Sequence, residues 1–109
     1  MEVKSTRQFR KRLADILDYA SINFGQKTVH NWQVSLKKML NALRNNPERY
    51  PFALEIHDIQ PYAHGVIMMK NFKVIFVYNP RKQIVYLADI WNMRQDPNVL
   101  RNSWKIIRI

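Results

Sequence analysis

Basic and aromatic side chains collect in the second half of the chain. They are His64, Lys70, Lys73, Arg81, Lys82 and Arg94, interleaved with Tyr62, Tyr78, Tyr86 and Trp91. Metal-free RNA cleavage needs little more than such a set: a group to take the 2′-hydroxyl proton, cations to hold the scissile phosphate and its extra charge, and an acid for the leaving oxygen. Histidine is the side chain suited to moving a proton near neutral pH, which makes His64 a catalytic candidate, and an arginine such as Arg94 can grip phosphate in a bidentate fork. Each has a plainer alternative. His64 can be a strand residue facing solvent, and Arg94 can close a turn by pairing with Asp89 or Asp96.

Other chemistries lack their residues. Gly25 and Gly65 are forty positions apart, so no glycine-rich phosphate loop can be built. His30, His57 and His64 are not at metal-ligand spacing, and the acids are too dispersed for a carboxylate pair, so neither a metal nor a cofactor is expected. Ser5, Ser21, Ser35 and Ser103 sit in helical or terminal contexts rather than in an elbow motif. The absence of cysteine removes disulfides, thiolate nucleophiles and cysteine zinc sites.

Hydrophobic periodicity sets the elements that must carry the candidate groups. Phe72, Val74, Phe76 and Tyr78 alternate with Lys73, Ile75 and Val77. Asn79 to Lys82 interrupt the pattern, and Ile84 to Trp91 resume it, which predicts a β-hairpin ending near Arg94. Both strands are apolar at nearly every position, so both faces need cover, one from the body of the domain and the other from a further element or a partner chain. Upstream, Val3 is compatible with a brief edge strand. Ser5 or Thr6 can cap a helix whose stripe is Phe9, Leu13, Ile16, Leu17, Ala20 and Phe24, with Gly25 as its stop. Arg7, Arg10, Lys11 and Arg12 in its first turns oppose the helix dipole, so they point either to a solvated face or to an acidic or polyanionic partner, with Arg7 and Lys11 as binding candidates.

A second helix is predicted from about Gln26 to Asn45, with Val29, Trp32, Leu36, Met39, Leu40 and Leu43 as its stripe. Trp32 is expected in the core and His30 in solvent. Phe52 to Ile56 and His64 to Met69 read as strands, with Lys70 and Asn71 as a two-residue turn into Phe72. A terminal helix extends to about Trp104, and Lys105 to Ile109 are compatible with extended chain. The resulting expectation is one domain over residues 1–109, of α+β class: an antiparallel helical hairpin on a three- to four-stranded antiparallel sheet, in β-α-α-β-β-β order with a short C-terminal segment.

Eighteen Lys and Arg against eight Asp and Glu leave a formal charge of +10 on 109 residues, so polyanions or acidic proteins are the natural partners. The polar, charged start and the lack of an 18-residue apolar run support neither a secretion signal nor a membrane span, and the expected location is the cytoplasm.

Several segments together resemble the RelE/ParE toxin superfamily, most nearly its ParE-like plasmid-stabilisation branch. They are the amphipathic pair Phe9 to Leu43, the loop Asn46-Pro47-Glu48-Arg49-Tyr50-Pro51, the run Asn71 to Tyr78, and above all Ala88 to Pro97, which is similar to the closing strand of that group. The resemblance covers nearly the whole chain. It implies a toxin of a type II toxin–antitoxin pair, neutralised by an antitoxin with an acidic amphipathic segment, and it admits a higher-order toxin–antitoxin complex. ParE-like members are associated with DNA gyrase poisoning, whereas RelE-like members cut mRNA on the ribosome. Two departures bear on that choice: relatives usually show an arginine where Ala63 and His64 stand, and no tyrosine follows Tyr86. Arg94 matches the arginine after the last strand. Trp91, Arg81, Lys73 and Lys70 join it as antitoxin- or target-binding candidates. A metal-independent endoribonuclease using His64 and Arg94, and a degenerate toxin reduced to a non-toxic basic binding module, are the alternatives to gyrase binding.

Overall fold

A computed structural model describes residues 1–105 and residue 107. Its elements are β1 (Glu2–Ser5), α1 (Arg7–Phe24), α2 (Gln26–Asn45), β2 (Ala63–Met68), β3 (Phe72–Asn79), β4 (Ile84–Asn92) and α3 (Pro97–Trp104), with single 3-10 turns at Pro47–Arg49 and Leu54–Ile56. The predicted extension over Lys105 to Ile109 lies largely outside the described residues. No helix among these is long and apolar enough to cross a membrane.

The α+β class is as expected, but the sheet is mixed rather than antiparallel. Strand order is β1-β4-β3-β2, and β1 runs parallel to β4 while the remaining pairs are antiparallel. The geometry at Thr6 explains this. Its backbone N–H donates to the Leu87 carbonyl and its hydroxyl to the Ala88 carbonyl at 2.6 Å, while the same hydroxyl oxygen accepts from the Phe9 N–H as the N-cap of α1. β1 therefore lies beside β4 in the direction that delivers the chain straight into the helix.

At the other end of α1, Gly25 has φ +87°, a left-handed conformation that other L-residues rarely adopt, and its N–H returns to the Ala20 carbonyl. That cap reverses the chain with no intervening loop, so α2 packs antiparallel to α1 over the sheet. Trp32, Met39 and Leu43 of α2 join Phe9 and Ala20 of α1 on a sheet face made by Val74, Phe76, Val85, Leu87 and Ile90. Trp32 meets Phe72 edge to face at a centroid distance of 4.8 Å. Burying side chains such as Phe76 and Leu43 completely stabilises the fold by roughly 1.5–3 kcal/mol each.

The second sheet face is covered by the chain itself. Leu100 of α3 and Ala53 and Ile56 of the preceding loop pack on Ala63, Ile75 and Trp91. Arg101 fastens α3 to that loop, donating from Nη1 and Nη2 to the Asp58 carboxylate at 2.7 and 2.9 Å and from Nη1 to the Glu55 carbonyl. This pairing holds the Asp58 carboxyl below the usual carboxylate range and the Arg101 guanidinium above its own. Phe52 to Ile56 is not a strand. Phe52 forms one isolated bridge with His64, after which Leu54–Ile56 turn as a 3-10 helix so that Ile56 is buried.

One irregularity divides β4. Ile75 pairs with Asp89 but Phe76 pairs with Leu87, so Ala88 is an extra residue, a β-bulge. Before the bulge the odd-numbered Val85 and Leu87 face the helices. After it the even-numbered Ile90 does, while Asp89 and Trp91 take the side of Ile75 and Lys73.

Candidate functional site

The connections of the sheet separate the candidate residues into two ends. At one end the β2–β3 turn meets the end of β4: Phe72 pairs with Asn92, and the Met93 N–H donates to the Asn71 carbonyl at 2.7 Å. Lys70 and Arg94 belong to this end. Arg81 and Lys82 lie at the opposite end, in the β3–β4 turn, where the Asn79 side chain accepts both of their backbone N–H groups. Arg7 and Lys11 are exposed on α1.

The Arg94 side chain makes no hydrogen bond or ion pair among the described residues. Asp89 is committed to Arg12, and Asp96 caps α3 by accepting the Asn98 N–H at 2.8 Å, so neither acid closes a pair with Arg94. Its backbone N–H is held by the Asn92 side chain, which presents the exposed guanidinium on a fixed turn. Lys70 is held by strain. Met69 and Lys70 both have positive φ, 51° and 67°, in a three-residue turn from Met69 to Asn71 rather than the two-residue turn expected. Left-handed conformations are unfavourable for such side chains, and strained turns of this kind concentrate at binding sites.

Beside this end lies an open groove of about 470 Å³ between α1 and the sheet. Ile16, Tyr19, Phe72 and Ile90 give it apolar walls, and Arg12, Asp15, Asn92 and Gln95 give it a polar margin. Beyond it, at the end of α1, Tyr19, Ile22 and Phe24 are 62%, 83% and 65% exposed. Apolar surface is therefore open both in the groove, whose Asn92 and Gln95 flank Arg94 in sequence, and at the end of α1, with Tyr19 common to the two.

His64 is elsewhere. It sits near the start of β2, about 13 Å of strand before Met68. Its ring is stacked between Phe52 and Phe76 at 4.7 and 5.3 Å, and Nδ1 lies 2.8 Å from the Tyr50 carbonyl, which can only accept, so Nδ1 carries the hydrogen. This imidazole is held as a packing element between the loop and the sheet, and it does not converge with Arg94.

Two further candidates are differently placed than their residue types suggest. Trp91 is 4% exposed and packs under α3, because the bulge turns it onto the covered face, so it offers no surface to a partner. Lys73 is locked to Glu55, with Nζ 2.9 Å from Oε2 and 3.2 Å from Oε1, and its stem lies across Gly65.

Sequence reasoning missed a buried polar cluster. Arg12, reaching from α1, places Nε 3.1 Å from Asp89 Oδ1 and donates through Nη2 to the Ser103 hydroxyl of α3. The Ile90 N–H also donates to Asp89 Oδ1, at 2.8 Å. Burial raises the Asp89 carboxyl to about 6 although the Arg12 charge and these hydrogen bonds pull it down. Its other oxygen, Oδ2, has no partner among the described residues. The signal was an acid inside the apolar run from Ala88 to Trp91, where a charge demands a partner.

No family model matches the chain, and no curated protein does. Among solved structures, the chain is similar to one from the chromosomal ParDE TA system of P. aeruginosa, with a TM-score of 0.65 and 14% identity over 84% of this chain and 95% of that one. The likeness is one of fold.

Proposed function

We propose that this chain is the toxin component of a type II toxin–antitoxin pair, of the ParE-like kind, and that it arrests growth by binding DNA gyrase without covalent chemistry of its own. The observation that carries the reading is the separation of His64 from Arg94. A proton-transfer group and a phosphate-holding cation must converge on one reacting centre to cleave RNA. Here the imidazole is packed between two phenylalanines at one place and the exposed guanidinium stands at another. A binding mechanism needs no such convergence. It needs an accessible cation beside apolar surface, which the two neighbouring turns that carry Lys70 and Arg94, at the end of the sheet next to the groove, supply. The similarity in fold to a ParDE chain supports the class.

The antitoxin of this reading contributes an acidic amphipathic segment. Its apolar residues enter the groove walled by Ile16, Tyr19, Phe72 and Ile90, and its acids answer the net charge of +10. The test is pulse-labelling of DNA, RNA and protein synthesis after inducing the chain alone in a bacterium. Early loss of DNA synthesis, relieved by Arg94→Ala, is expected. Early loss of protein synthesis with cut mRNA would replace gyrase binding by the endoribonuclease alternative. Absence of any arrest would leave a non-toxic binding module.

A further inference from the structure

Every ion pair among the described residues lies outside α2: Lys4–Glu2, Arg12–Asp89, Lys73–Glu55 and Arg101–Asp58. α2 itself holds Lys27, Lys37, Lys38 and Arg44 and no acid at all over its 20 residues. All four cations are exposed. Arg44 stands in the last turn, where the dipole favours a cation, but helix stability does not account for Lys27, which stands in the first turn, where the dipole disfavours one and Gly25 offers no side-chain cap.

Their arrangement is regular. With Trp32, Met39 and Leu43 turned to the sheet, about 100° per residue places Lys37 and Arg44 along one flank of the solvent face and Lys27 and Lys38 along the other. His30, Val34 and Asn41 run between the two rows. From Lys27 to Arg44 the array is about 25 Å long, at roughly 1.5 Å per residue. Between the rows Val34 is the one large apolar side chain, 39% exposed, and no aromatic is present. Docked peptides and protein hot spots rely on apolar and aromatic anchors, whereas sugar–phosphate backbones are held by Lys, Arg, Asn and Gln.

We infer that the solvent face of α2 is a second binding surface, for the phosphate walls of duplex DNA, with the two cation rows astride a groove. A helix with side chains is about 10–12 Å across and the major groove is about 12 Å wide, so the two rows reach opposite backbones. Recognition is of charge and shape, independent of base sequence. The surface is distinct from the Arg94 end, and it operates in the purified chain whether or not that chain arrests growth.

Fluorescence anisotropy with a labelled 20-base-pair duplex of mixed sequence, over a series of salt concentrations, tests this. Replacing Lys37, Lys38 and Arg44 by Gln should reduce the slope of log K against log[salt] by about 2–3, at roughly 0.9 for each phosphate no longer neutralised. The control Lys4→Gln, Lys82→Gln, Lys105→Gln changes net charge equally and should alter the slope by less than about 1. The charge-retaining variant Lys37→Arg, Lys38→Arg should keep the wild-type slope, which separates the removal of charge from damage to the fold. Equal reductions in the two triple variants would show that affinity follows net charge alone and overturn the assignment. So would equal affinity for a single-stranded RNA 20-mer, or a drop on polyglutamate as large as that on DNA, the latter marking an acidic protein as the partner.

Discussion

Arg12 Nε stands 3.1 Å from Asp89 Oδ1, a contact that joins the early turns of α1 to the covered face of β4. Asp89 is fully buried and Arg12 largely so, hence removing the arginine leaves a carboxylate without its counter-charge. Arg12→Met should lower unfolding free energy by about 3–5 kcal/mol in urea denaturation. The double variant Arg12→Met, Asp89→Asn should recover most of that deficit. A double variant as unstable as the single one would mean that Arg12 contributes by packing its stem rather than by pairing.

The same carboxyl gives stability a pH dependence of known sign. Its folded value of about 6 is above the 3.8 of an unperturbed Asp, so between these values the folded chain binds more protons than the unfolded one. Stability therefore falls as pH rises from about 4 to about 6, by on the order of 3 kcal/mol from this group, and is level above that. Asp58, held low by Arg101, works in the opposite direction and in more acidic solution. Unfolding free energy measured from pH 4 to about 7 should show the decline in the wild type and lack it in Asp89→Asn; parallel curves would exclude Asp89 as its source.

Lys70→Gly should stabilise the chain by about 1 kcal/mol, because glycine adopts a φ of 67° without the steric cost that lysine bears. If the strained turn serves binding, the same variant should weaken antitoxin or target affinity in a titration with the purified partner. A more stable chain with unchanged affinity would assign the turn to hairpin closure alone.

Gly65 lies under the Lys73 stem, and a Cβ there would stand 2.8 Å from Cδ and 3.1 Å from Cγ of that lysine. Gly65→Ala should displace Lys73 from Glu55 and cost about 1 kcal/mol. In a Lys73→Ala background the penalty should vanish, a coupling that a double-mutant cycle measures directly. An undiminished penalty would place the strain in the β2 backbone instead.

The helical hairpin was legible because local signals set both its ends: Thr6 caps, Gly25 reverses, and the stripes from Phe9 to Leu43 keep helical spacing. β3 and β4 were legible for the same reason. What escaped was set by distant partners. Nothing near Glu2 to Ser5 states that the strand runs parallel to β4, since that follows from how α1 must start. Phe52, Leu54 and Ile56 alternate as a strand would, but Ala53 and Ile56 are what the core takes, and a 3-10 turn is what delivers them. Trp91 is a binding candidate by residue type, and strict alternation from Val85 and Leu87 does not foresee the inserted residue at Ala88 that places it under α3. His64 and Arg94 shared a residue-type argument yet lie apart, because chemistry-bearing types say nothing of which end of a sheet they occupy.

The bulge at Ala88 acts as a phase shifter within one strand. Straightening β4 with Ala88 kept in the ladder would exchange the sides taken by the pairs Asp89 with Trp91 and Ile90 with Asn92, carrying a carboxylate under the helices and stripping Arg12 of its counterpart. Deleting Ala88 itself would instead leave Leu87 opposite Phe76 and Asp89 opposite Ile75, with every later side chain on its present side. The β3–β4 turn from Pro80 to Gln83, exposed over its length, has no such coupling and can vary in length. Among descendants of this chain, insertions and deletions should accumulate at the turn, and within β4 the loss of one residue should be tolerated only at the bulge.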